Sequence, residues 1–265
     1  MKSPFELDGR VAVVTGAGGA MGSVIAVGLA SCGADVVVAA HKNRNRIPST
    51  MEKIESFGRK AMEAYCDVTS QSDVDGTVKK TLDEFGHVDI LVNVPGYSFH
   101  TDAADVDISD WEALMAVNLT GAFRCAQAFG RFMIEQKKGS IIFMSSIAGM
   151  VALGRGQAAY CASKHGLIGL TRELAIEWGA FNVRVNAIAP CQVATEGLLK
   201  WVDESEKNGE LYDGQTLRKH LLSQIPLERF AEPEEYIGPT VFLASDASSM
   251  VTGHLLAVDG GYLAR

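Results

Sequence analysis

Tyr160 and Lys164 stand four residues apart in the segment AAYCASKHGL (158–167). In an α-helix, residues four positions apart lie on the same face one turn apart, so this spacing predicts that the phenol and the ammonium group are neighbours. A free tyrosine has a pKa of about 10, and a nearby positive charge favours the phenolate and lowers that pKa. The pair is therefore suited to proton transfer near neutral pH, although a single such pair could also arise by chance.

A glycine-rich segment, VVTGAGGAMGSVIAVGLA (13–30), provides a second candidate site. It follows a strand-like run and leads into a helical pattern. The free N–H groups and the positive end of a helix that begins here would suit a pyrophosphate. Glycine at positions 16, 18 and 22 permits close approach of the backbone. This context favours a dinucleotide-binding turn over a purely structural one.

Two motifs carry a family resemblance, Thr15-Gly16-x-x-x-Ala20-x-Gly22 and Tyr160-x-x-x-Lys164. Together they resemble the short-chain dehydrogenase/reductase family of the single-domain type, and the resemblance covers essentially the whole chain. Further matching segments follow in order, and they are Asp67-Val68, Asn93 with Gly96, Asn118, SSIAG at 145–149, and Pro190 to Thr195.

The chain departs from the family pattern at three places. Ala20 stands where the middle glycine is usual, Val94-Pro95 replaces Asn-Ala, and Cys191 replaces a glycine. None of these changes removes a group that does chemistry. The methyl group of Ala20 would narrow the approach of a pyrophosphate only slightly, which affects cofactor affinity rather than mechanism.

The resemblance implies a catalytic set that interconverts a ketone and a secondary alcohol by hydride transfer. Tyr160 would protonate the carbonyl oxygen, Ser146 would orient and polarise it, and Lys164 would bind the nicotinamide ribose while lowering the tyrosine pKa. Asn118 would anchor a proton-relay water. The interval from Ser146 to Tyr160 is one residue longer than usual, so either the loop bulges or Ser145 substitutes, and the position within SSIAG favours Ser146.

Cofactor contacts are expected along the whole cleft. The expected residues are Gly16, Gly18, Met21, Gly22, His41, Lys42, Asp67, Val68, Asn93, Gly96, Tyr160, Lys164, Pro190, Val193 and Thr195. The resemblance implies that Thr195 and the backbone of Val193 clamp the nicotinamide carboxamide. It also implies that Asp67 and Val68 contact the adenine.

The segment after the second strand, VVVAAHKNRNR, indicates the type of cofactor. An acidic residue at the end of that strand would bind the ribose hydroxyls and repel a 2′-phosphate. This chain instead has Ala40 followed by His41, Lys42, Arg44 and Arg46. The charges favour NADP(H), with NAD(H) as the alternative, over the reading of an ordinary solvated basic loop.

Apolar, β-branched runs alternate with amphipathic segments of helical length along the chain. The runs are RVAVVT, ADVVVAA, VDILVN, GSIIFMSS and NVRVNAIAP, and helices are predicted at about 20–32, 48–58, 70–86, 109–137 and 157–180, with a further strand near 60–66. This alternation predicts an α/β fold with a doubly wound, Rossmann-like parallel sheet and helices on both faces. A single domain is expected over 1–265, with a substrate lid predicted at 196–228, where a charge-rich and helical stretch interrupts the alternation.

Composition and charge exclude several classes of function. The 265 residues carry a net charge of −8, which repels a phosphate backbone, so no nucleic-acid partner is expected. The five cysteines lack the spacing of a zinc site or a disulfide framework, so no metal is expected. A charge-free stretch from Val11 to Ala34 is interrupted by glycines, unlike a membrane span. The scattered cysteines are expected to be reduced thiols, and the N-terminal MKSPFELDGR has no apolar run typical of a secretory signal, so we expect a cytoplasmic protein without membrane association.

Substrate specificity is expected in three regions around the open ends of the strands. These are the residues Tyr97, Phe99 and His100, the loop 150–157, and the lid. Arg155 is a hypothetical contact for an anionic substrate such as a sugar acid, against the simpler reading of a solvated side chain. The pattern resembles reductases of sugar acids, polyols and 3-oxoacyl groups about equally.

Three other classes of protein share features with this chain. They are a dinucleotide-binding regulator without turnover, a nucleotide-sugar epimerase or dehydratase, and a purely structural protein. Intact Ser146, Tyr160 and Lys164 favour an enzyme acting on a small carbonyl or alcohol substrate, and 265 residues leave little room for the larger substrate domain of an epimerase. The resemblance also implies a homotetramer built through the helices at 109–137 and 157–180.

Overall fold

The central feature of the fold is one large parallel sheet. The computed structural model describes residues 3–154 and 156–264. The strands are β1 (Val11–Thr15), β2 (Asp35–Ala40), β3 (Ala61–Tyr65), β4 (Ile90–Asn93), β5 (Gly139–Met144), β6 (Val183–Pro190), β7 (Leu211–Tyr212), β8 (Gln215–Thr216) and β9 (Leu255–Val258). Seven of them form a parallel sheet in the order β3-β2-β1-β4-β5-β6-β9. The predicted single-domain, doubly wound α/β fold is confirmed.

Helices cover both faces of this sheet. They are α1 (Ala20–Ser31), α2 (Ile47–Ser56), α3 (Gln71–Phe85), α4 (Ile108–Met115), α5 (Gly121–Glu135), α6 (Ala158–Gly179), α7 (Glu196–Lys207), α8 (Leu217–Ser223) and α9 (Ile237–Ala244). The helix predicted at 109–137 consists of α4 and α5, which are joined by a π-helical turn at Ala116–Thr120. Within the described ranges, none of the helices has the length and apolar composition needed to cross a lipid bilayer.

Two apolar layers bury the sheet, one on each face. Alternate residues of β2 show this directly, because Val36 and Val38 belong to one layer while Val37 and Ala39 belong to the other. Successive side chains of a strand point to opposite faces, so a strand covered on both sides must be apolar throughout. The continuous apolar runs of the sequence therefore correspond to strands enclosed between helices.

The strand order reverses between β1 and β4. The chain runs outward from β1 through β2 to β3, and then returns to β4 and continues to β5 and β6 on the other side. Neighbouring loops leave the carboxyl edge in opposite directions at such a point, and the crevice between them is where ligands bind in open α/β sheets. The loops after β1, β4, β5 and β6 all emerge at this edge.

The segment 196–228 forms two helices and a small hairpin beside this crevice. Val202 of α7 packs with Leu217 and Leu221 of α8 in a separate apolar cluster. Between the helices, β7 and β8 pair in antiparallel fashion across Asp213 and Gly214, whose φ angles are 50° and 74°. The sequence predicted a helical stretch here and missed the hairpin, although an Asp-Gly pair with positive φ is typical of a two-residue hairpin turn.

Candidate active site

A cavity of about 620 Å³ lies at the carboxyl ends of β4, β5 and β6. Its lining includes the predicted site residues Met21, Gly96, Ser146, Tyr160, Lys164, Pro190, Val193 and Thr195. The other predicted residues, which are Gly16, Gly18, Gly22, His41, Lys42, Asp67, Val68, Asn93 and Asn118, are outside that lining. The described part of the chain brings together no three His, Cys, Asp or Glu side chains that could hold a metal ion.

Tyr160 and Lys164 lie on one face of α6, as their spacing predicts. The Lys164 Nζ is 5.5 Å from the centre of the Tyr160 ring. The same Nζ donates a hydrogen bond of 2.8 Å to the carbonyl oxygen of Met144 at the end of β5. Lys164 is only 3% exposed, so an otherwise unusual buried ammonium is held between the sheet and its own helix.

Burial controls the protonation of both groups. Desolvation disfavours the charged form of each group, and it lowers the pKa of Lys164 to about 8. Burial also raises the pKa of Tyr160, while the hydrogen-bonding interaction with Ser146 opposes that rise. The expectation that Lys164 lowers the tyrosine pKa was therefore wrong for this structure. Tyr160 is a protonated phenol at neutral pH, which is the form that can donate a proton.

Ser146, rather than Ser145, interacts with the Tyr160 phenol. The Ser145 Oγ donates to the main-chain carbonyl of Lys164 at 3.1 Å and thereby braces α6 against β5. Ser146 interacts with the phenol and also accepts a 3.1 Å hydrogen bond from the N–H of Ala148. Both serines are buried, so the orientation of the side chains, not their exposure, distinguishes the two.

The extra residue between Ser146 and Tyr160 is accommodated in the intervening loop. A short 3₁₀ turn at Ile147–Gly149 follows Ser146 directly. Further along, the carbonyl oxygen of Gly156 accepts a 3.0 Å hydrogen bond from the N–H of Thr101, which ties this loop to the segment after β4. The longer interval therefore corresponds to a longer loop after β5, and Ser145 does not take the place of Ser146.

Asn118 lies in the π-helical turn, where it is fully buried. Its Oδ1 accepts a 3.0 Å hydrogen bond from the N–H of Tyr97, and its Nδ2 donates to the Tyr97 carbonyl at 2.9 Å and to the Ser163 Oγ at 3.2 Å. One side chain therefore joins the segment after β4 to α6. Single π-helical turns inserted in α-helices occur frequently at functional sites.

The glycine-rich turn between β1 and α1 has no room for a side chain at Gly18 or Gly22. A Cβ atom at Gly18 would lie 1.6 Å from the carbonyl oxygen of Asn43, and one at Gly22 would lie 2.3 Å from that of Gly16. Gly19 precedes the first residue of α1 and supplies no capping side chain, and the first turn contains no acidic residue. The N–H groups of this helix end are therefore left for an anion, so the turn fits the pyrophosphate of a dinucleotide.

Two further predicted residues support this turn from inside the protein. The Asn93 Nδ2 donates a 2.9 Å hydrogen bond to the Thr15 Oγ1, which joins the ends of β4 and β1. Val68 is buried against α5 at Gly121, where an added Cβ would lie 2.7 Å from the valine side chain. Asn93 and Val68 thus help to fix the two walls of the crevice.

His41 and Asp67 lie at the opposite end of the crevice, where β2 and β3 end. The His41 Nδ1 is 3.2 Å from an Asp67 carboxylate oxygen, and the imidazole packs edge-on against Tyr65 with ring centres 5.4 Å apart. Burial raises the pKa of Asp67, but hydrogen bonds from Thr69 and the charges of His41 and Lys42 outweigh burial and lower it overall. Lys42 is exposed and has no direct ion pair within the described residues.

The two arginines of the same loop are engaged by carboxylates. Arg44 forms an ion pair with Glu63 on β3. Arg46 forms one with Glu196, the first residue of α7. The second pair joins the loop after β2 to the beginning of α7, across the edge of the crevice. The positive charge that the sequence places after β2 is therefore partly neutralised in the folded protein.

Thr195 fixes the beginning of the segment 196–228. Its Oγ1 accepts a 3.3 Å hydrogen bond from the N–H of Leu198 and so caps α7. Val193 pairs with Ala231 in an isolated parallel bridge, and Pro190 ends β6. These contacts place the side chains of Val193 and Thr195 against the cavity.

Some lining residues were not singled out from the sequence. Trp201 and Leu221 reach the cavity from α7 and α8, and Gln192 reaches it from the segment after β6. The Trp201 indole stacks on the His100 ring with centres 4.4 Å apart, which connects α7 to the segment after β4. Trp201 falls within the predicted lid, whereas no sequence signal distinguished Gln192 from its neighbours.

The predicted specificity residues divide into two groups. His100 and Gln157 line the cavity, and their side chains approach to 3.4 Å. Tyr97 and Met150 are exposed and are absent from the cavity lining. Arg155, the hypothetical contact for an anionic substrate, lies outside the described residues.

Sequence comparisons give the relatives of this chain. A family model described as enoyl-(acyl carrier protein) reductase matches residues 16–263. The D-threitol dehydrogenase of Mycolicibacterium smegmatis is 39% identical over 97% of this chain and 94% of its own length. The 2-dehydro-3-deoxy-D-gluconate 5-dehydrogenase of Escherichia coli is 36% identical over 99% of both chains. A 3-oxoacyl-[acyl-carrier-protein] reductase of Synechocystis sp. is 37% identical over 96% of this chain and 97% of its own.

Solved structures with bound cofactors match the fold closely. A candidate 2-deoxy-D-gluconate 3-dehydrogenase from Agrobacterium tumefaciens, with bound NADP, has a TM-score of 0.86 and 35% identity over the full length of both chains. An NAD⁺-bound xylitol dehydrogenase has a TM-score of 0.89 and 32% identity over 96% of this chain and 99% of its own. With relatives that match nearly end to end and a crevice that fits a nicotinamide dinucleotide, this chain belongs to the short-chain dehydrogenase/reductase family and is an NAD(P)-dependent oxidoreductase.

Proposed function

We propose that this oxidoreductase interconverts a secondary alcohol and a ketone on a polyol or a sugar acid. One observation supports the chemistry most directly: Tyr160 and Ser146 interact within one cavity, with the Lys164 ammonium beside them. A ketone that accepts a hydride becomes an alkoxide, which needs a proton donor and a hydrogen bond at the same oxygen. The phenol and the serine hydroxyl supply these two functions.

The proposed roles follow from the protonation and contacts of each side chain. The nicotinamide, when bound, supplies or accepts the hydride. Tyr160 holds the proton that passes to the substrate oxygen during reduction, because burial keeps its phenol protonated. Ser146 donates a hydrogen bond to that oxygen. Lys164 has one of its three N–H donors on the Met144 carbonyl, and we assign the others to the ribose of the cofactor and the phenol.

We assign Asn118 a positioning role. The family resemblance implies that this residue anchors a proton-relay water. Its carboxamide makes three hydrogen bonds to Tyr97 and Ser163. Through them Asn118 holds the segment after β4 at a fixed distance from α6, which carries Tyr160.

We further propose a modest preference for NADP(H), with NAD(H) as the weaker cofactor. The support is the absence of an acidic residue directly after β2 and the presence there of His41 and Lys42. Arg44 and Arg46 already contact carboxylates, so less positive charge is available for a 2′-phosphate than the sequence suggests. A preference of about tenfold, which corresponds to about 1.4 kcal/mol, is consistent with this arrangement.

We propose that the segment 196–228 is the substrate lid. Trp201 and Leu221 contribute to the cavity wall, and the stack of Trp201 on His100 connects the lid to the opposite wall. Small apolar clusters such as that of α7 and α8 make few contacts with the main core, which suits an element that opens and closes.

The relatives favour a hydroxylated substrate over a fatty acyl one. The D-threitol and 2-dehydro-3-deoxy-D-gluconate dehydrogenases act, by their names, on polyhydroxylated compounds. The polar side chains of Ser98, His100 and Gln157 also face the cavity. The second candidate is a 3-oxoacyl thioester, supported by the Synechocystis relative and by the apolar Leu153 and Leu198 in the same lining.

We also propose a homotetramer in which α5 and α6 contact their counterparts. These helices expose the large apolar side chains of Phe123 and Ile176, and Ile176 is 82% exposed in the single chain. Apolar patches of this kind on an isolated chain are commonly covered by a partner.

A substrate panel tests the proposed function. The purified protein would be assayed with D-threitol, xylitol, D-gluconate and acetoacetyl-CoA, each with both NADP(H) and NAD(H) in the appropriate redox state. We expect turnover of at least one hydroxylated compound that disappears in Tyr160→Phe. Turnover of acetoacetyl-CoA alone would instead establish the second candidate function.

A further inference from the structure

The cavity wall has basic side chains and, among its described residues, no acidic ones. The two lining residues that can carry a positive charge are Lys164 and His100, and none of the described lining residues is an aspartate or a glutamate. Lys164 is buried beside Tyr160. His100 is exposed, so a molecule in the cavity can reach its ring. A cleft whose charges have one sign attracts ligands of the opposite sign, and His100 is the accessible basic group.

Two contacts hold the His100 ring at this wall. One face of the ring stacks on the Trp201 indole of α7, with centres 4.4 Å apart and planes inclined by 22°. The His100 Nε2 lies 3.4 Å from the Nε2 of the Gln157 amide. A carboxamide can present either a donor or an acceptor, so this neighbour suits the neutral and the charged ring. An aromatic face attracts a positive charge, so the indole favours the imidazolium.

His100 lies within the length of a small sugar from the catalytic phenol. Gln157, whose side chain contacts the imidazole, is the residue directly before α6, and Tyr160 follows three positions later in the first turn. A helix rises about 1.5 Å per residue, so these two residues are separated by about one turn. A substrate whose reacting carbon lies at Tyr160 can therefore bring a group several bonds away to His100.

The beginning of α6 adds to the positive potential beside His100. The Gln157 side chain makes no capping hydrogen bond to this helix, and the first turn contains no acidic residue. The first N–H groups of a helix carry a partial positive charge that favours an anion. A polyol would bring only neutral hydroxyls to this region. A sugar acid would bring a carboxylate, which can accept a charge-assisted hydrogen bond from an imidazole N–H.

We propose that His100 is a specificity residue that binds the carboxylate of the substrate, and that the enzyme therefore selects sugar acids over neutral polyols. This inference rests on the proposed function, since it chooses between the two substrate classes named there for the same cavity. Specificity of this kind is a difference between two affinities. Here the difference arises from one charged group of the substrate, at the end of the cavity where His100, Gln157 and the beginning of α6 meet.

The test compares D-gluconate with D-gluconamide, which differ only in the charge and chemistry of one terminal group. His100→Phe keeps a ring that can stack on Trp201 but removes the charge and the N–H donors. His100→Arg keeps a positive charge on a group that also stacks on aromatic faces. His254→Phe is the matched control, because His254 is exposed directly before β9 and is absent from the cavity lining.

In His100→Phe we expect kcat/KM for gluconate to fall about 10-fold, mainly through a higher KM, while that for gluconamide stays within about 3-fold. His100→Arg should keep kcat/KM for gluconate within about 3-fold of the wild type. The control variant should leave both substrates unchanged.

The remaining outcomes separate this inference from the proposed function. Equal losses for gluconate and gluconamide in His100→Phe would show that the ring only supports Trp201, and would overturn the inference alone. A wild-type protein that oxidises gluconamide as efficiently as gluconate, or a weaker Kd for NADPH in His100→Phe by fluorescence titration, would do the same. A wild-type protein that reduces acetoacetyl-CoA but turns over none of the hydroxylated compounds would overturn the proposed function, and the inference with it.

Discussion

The two ends of the crevice are built differently. At the catalytic end, Lys164 and Ser146 are buried, and main-chain atoms hold both side chains, the Met144 carbonyl for Lys164 and the N–H of Ala148 for Ser146. At the opposite end, where the proposed function places the adenosine, the basic residues after β2 lie largely at the surface, and Arg44 and Arg46 pair with Glu63 and Glu196. Burial makes the protonation of the side chains at the catalytic end sensitive to neighbouring groups, while solvent screens the charge interactions at the other end.

This difference separates the reaction from the choice of cofactor. A change at the catalytic end removes a buried group whose role water cannot take over, so its effect on activity or stability should be large. A change at the adenosine end rearranges exposed charges, so its cost should be small and dependent on salt. The four predictions below test this contrast, from the largest expected effect to the smallest.

Removal of the Tyr160 hydroxyl should have the largest effect. We expect Tyr160→Phe to lower kcat by about 10³-fold or more, because the alkoxide then lacks its proton donor. The Kd for NADPH should change by less than about 2-fold, since the ring and Lys164 remain. Steady-state kinetics and fluorescence titration measure the two quantities, and substantial residual turnover would contradict the role of Tyr160.

The buried Lys164 should give stability an unusual dependence on pH. Its pKa falls from 10.5 to about 8 on folding, so between those values the unfolded chain binds the extra proton, and the free energy of unfolding rises with pH through that window. In Lys164→Met this contribution is absent. The stability advantage of Lys164→Met at pH 7 should therefore shrink by about 2–4 kcal/mol by pH 10.5.

Urea unfolding of both proteins between pH 7 and 10.5 measures this difference. Lys164→Arg serves as the control, because a guanidinium stays charged over the whole range and should show no such convergence with the methionine variant. Parallel stability curves for wild type and Lys164→Met would show that the ammonium is not desolvated.

Reversing the charge after β2 should change the cofactor preference and leave the chemistry intact. We expect His41→Asp to lower kcat/KM for NADPH by about 10-fold to 100-fold, because a carboxylate repels the 2′-phosphate. The value for NADH should hold or rise, and kcat should stay close to that of the wild type. Lys42→Met, which only removes a charge, should give a smaller change in the same direction. If NADPH and NADH respond equally, His41 does not contact the 2′-phosphate.

Breaking the ion pair between the loop and the lid should have the smallest effect. Glu196 is 84% exposed and Arg46 is 38% exposed, and exposed pairs contribute at most about 1 kcal/mol. Arg46→Gln should therefore change the free energy of unfolding by less than about 1 kcal/mol. The difference should vanish in high salt when it is measured by denaturant titration. A larger loss would show that the lid depends on this contact.

The fold and the pairing of Tyr160 with Lys164 could be predicted because each depends on a period in the sequence. Apolar runs alternating with helical segments imply parallel strands, and a spacing of four implies one helix face. Neither period identifies α9, an eight-residue helix that includes a proline near its beginning and that the sequence did not predict. A proline is tolerated there only because the first-turn N–H groups have no helical partner.

The predictions that were wrong or incomplete concern burial and contacts between residues that are distant in the sequence. The pKa of Tyr160 rises rather than falls because the phenol is buried. Spacing along a helix carries no information on burial, so the sequence could not predict this direction. The sequence favoured Ser146 over Ser145, but it could not show that Ser146 contacts the Tyr160 phenol while the Ser145 side chain turns to the Lys164 carbonyl. Arg46 is neutralised by a residue 150 positions away, which a local charge pattern cannot reveal.

Thr195 constrains how this chain can diverge. Its oxygen accepts a hydrogen bond from the N–H of Leu198 and so begins α7, and the same residue lines the cavity. Under the proposed function, its single hydrogen would donate to the nicotinamide. Serine preserves both tasks, whereas valine, which has nearly the same shape, loses both at once. Many positions of α7 and α8 can therefore vary freely. Thr195 cannot, because one hydroxyl serves both the start of α7 and the cavity, and a substitution that suits one of them must also suit the other.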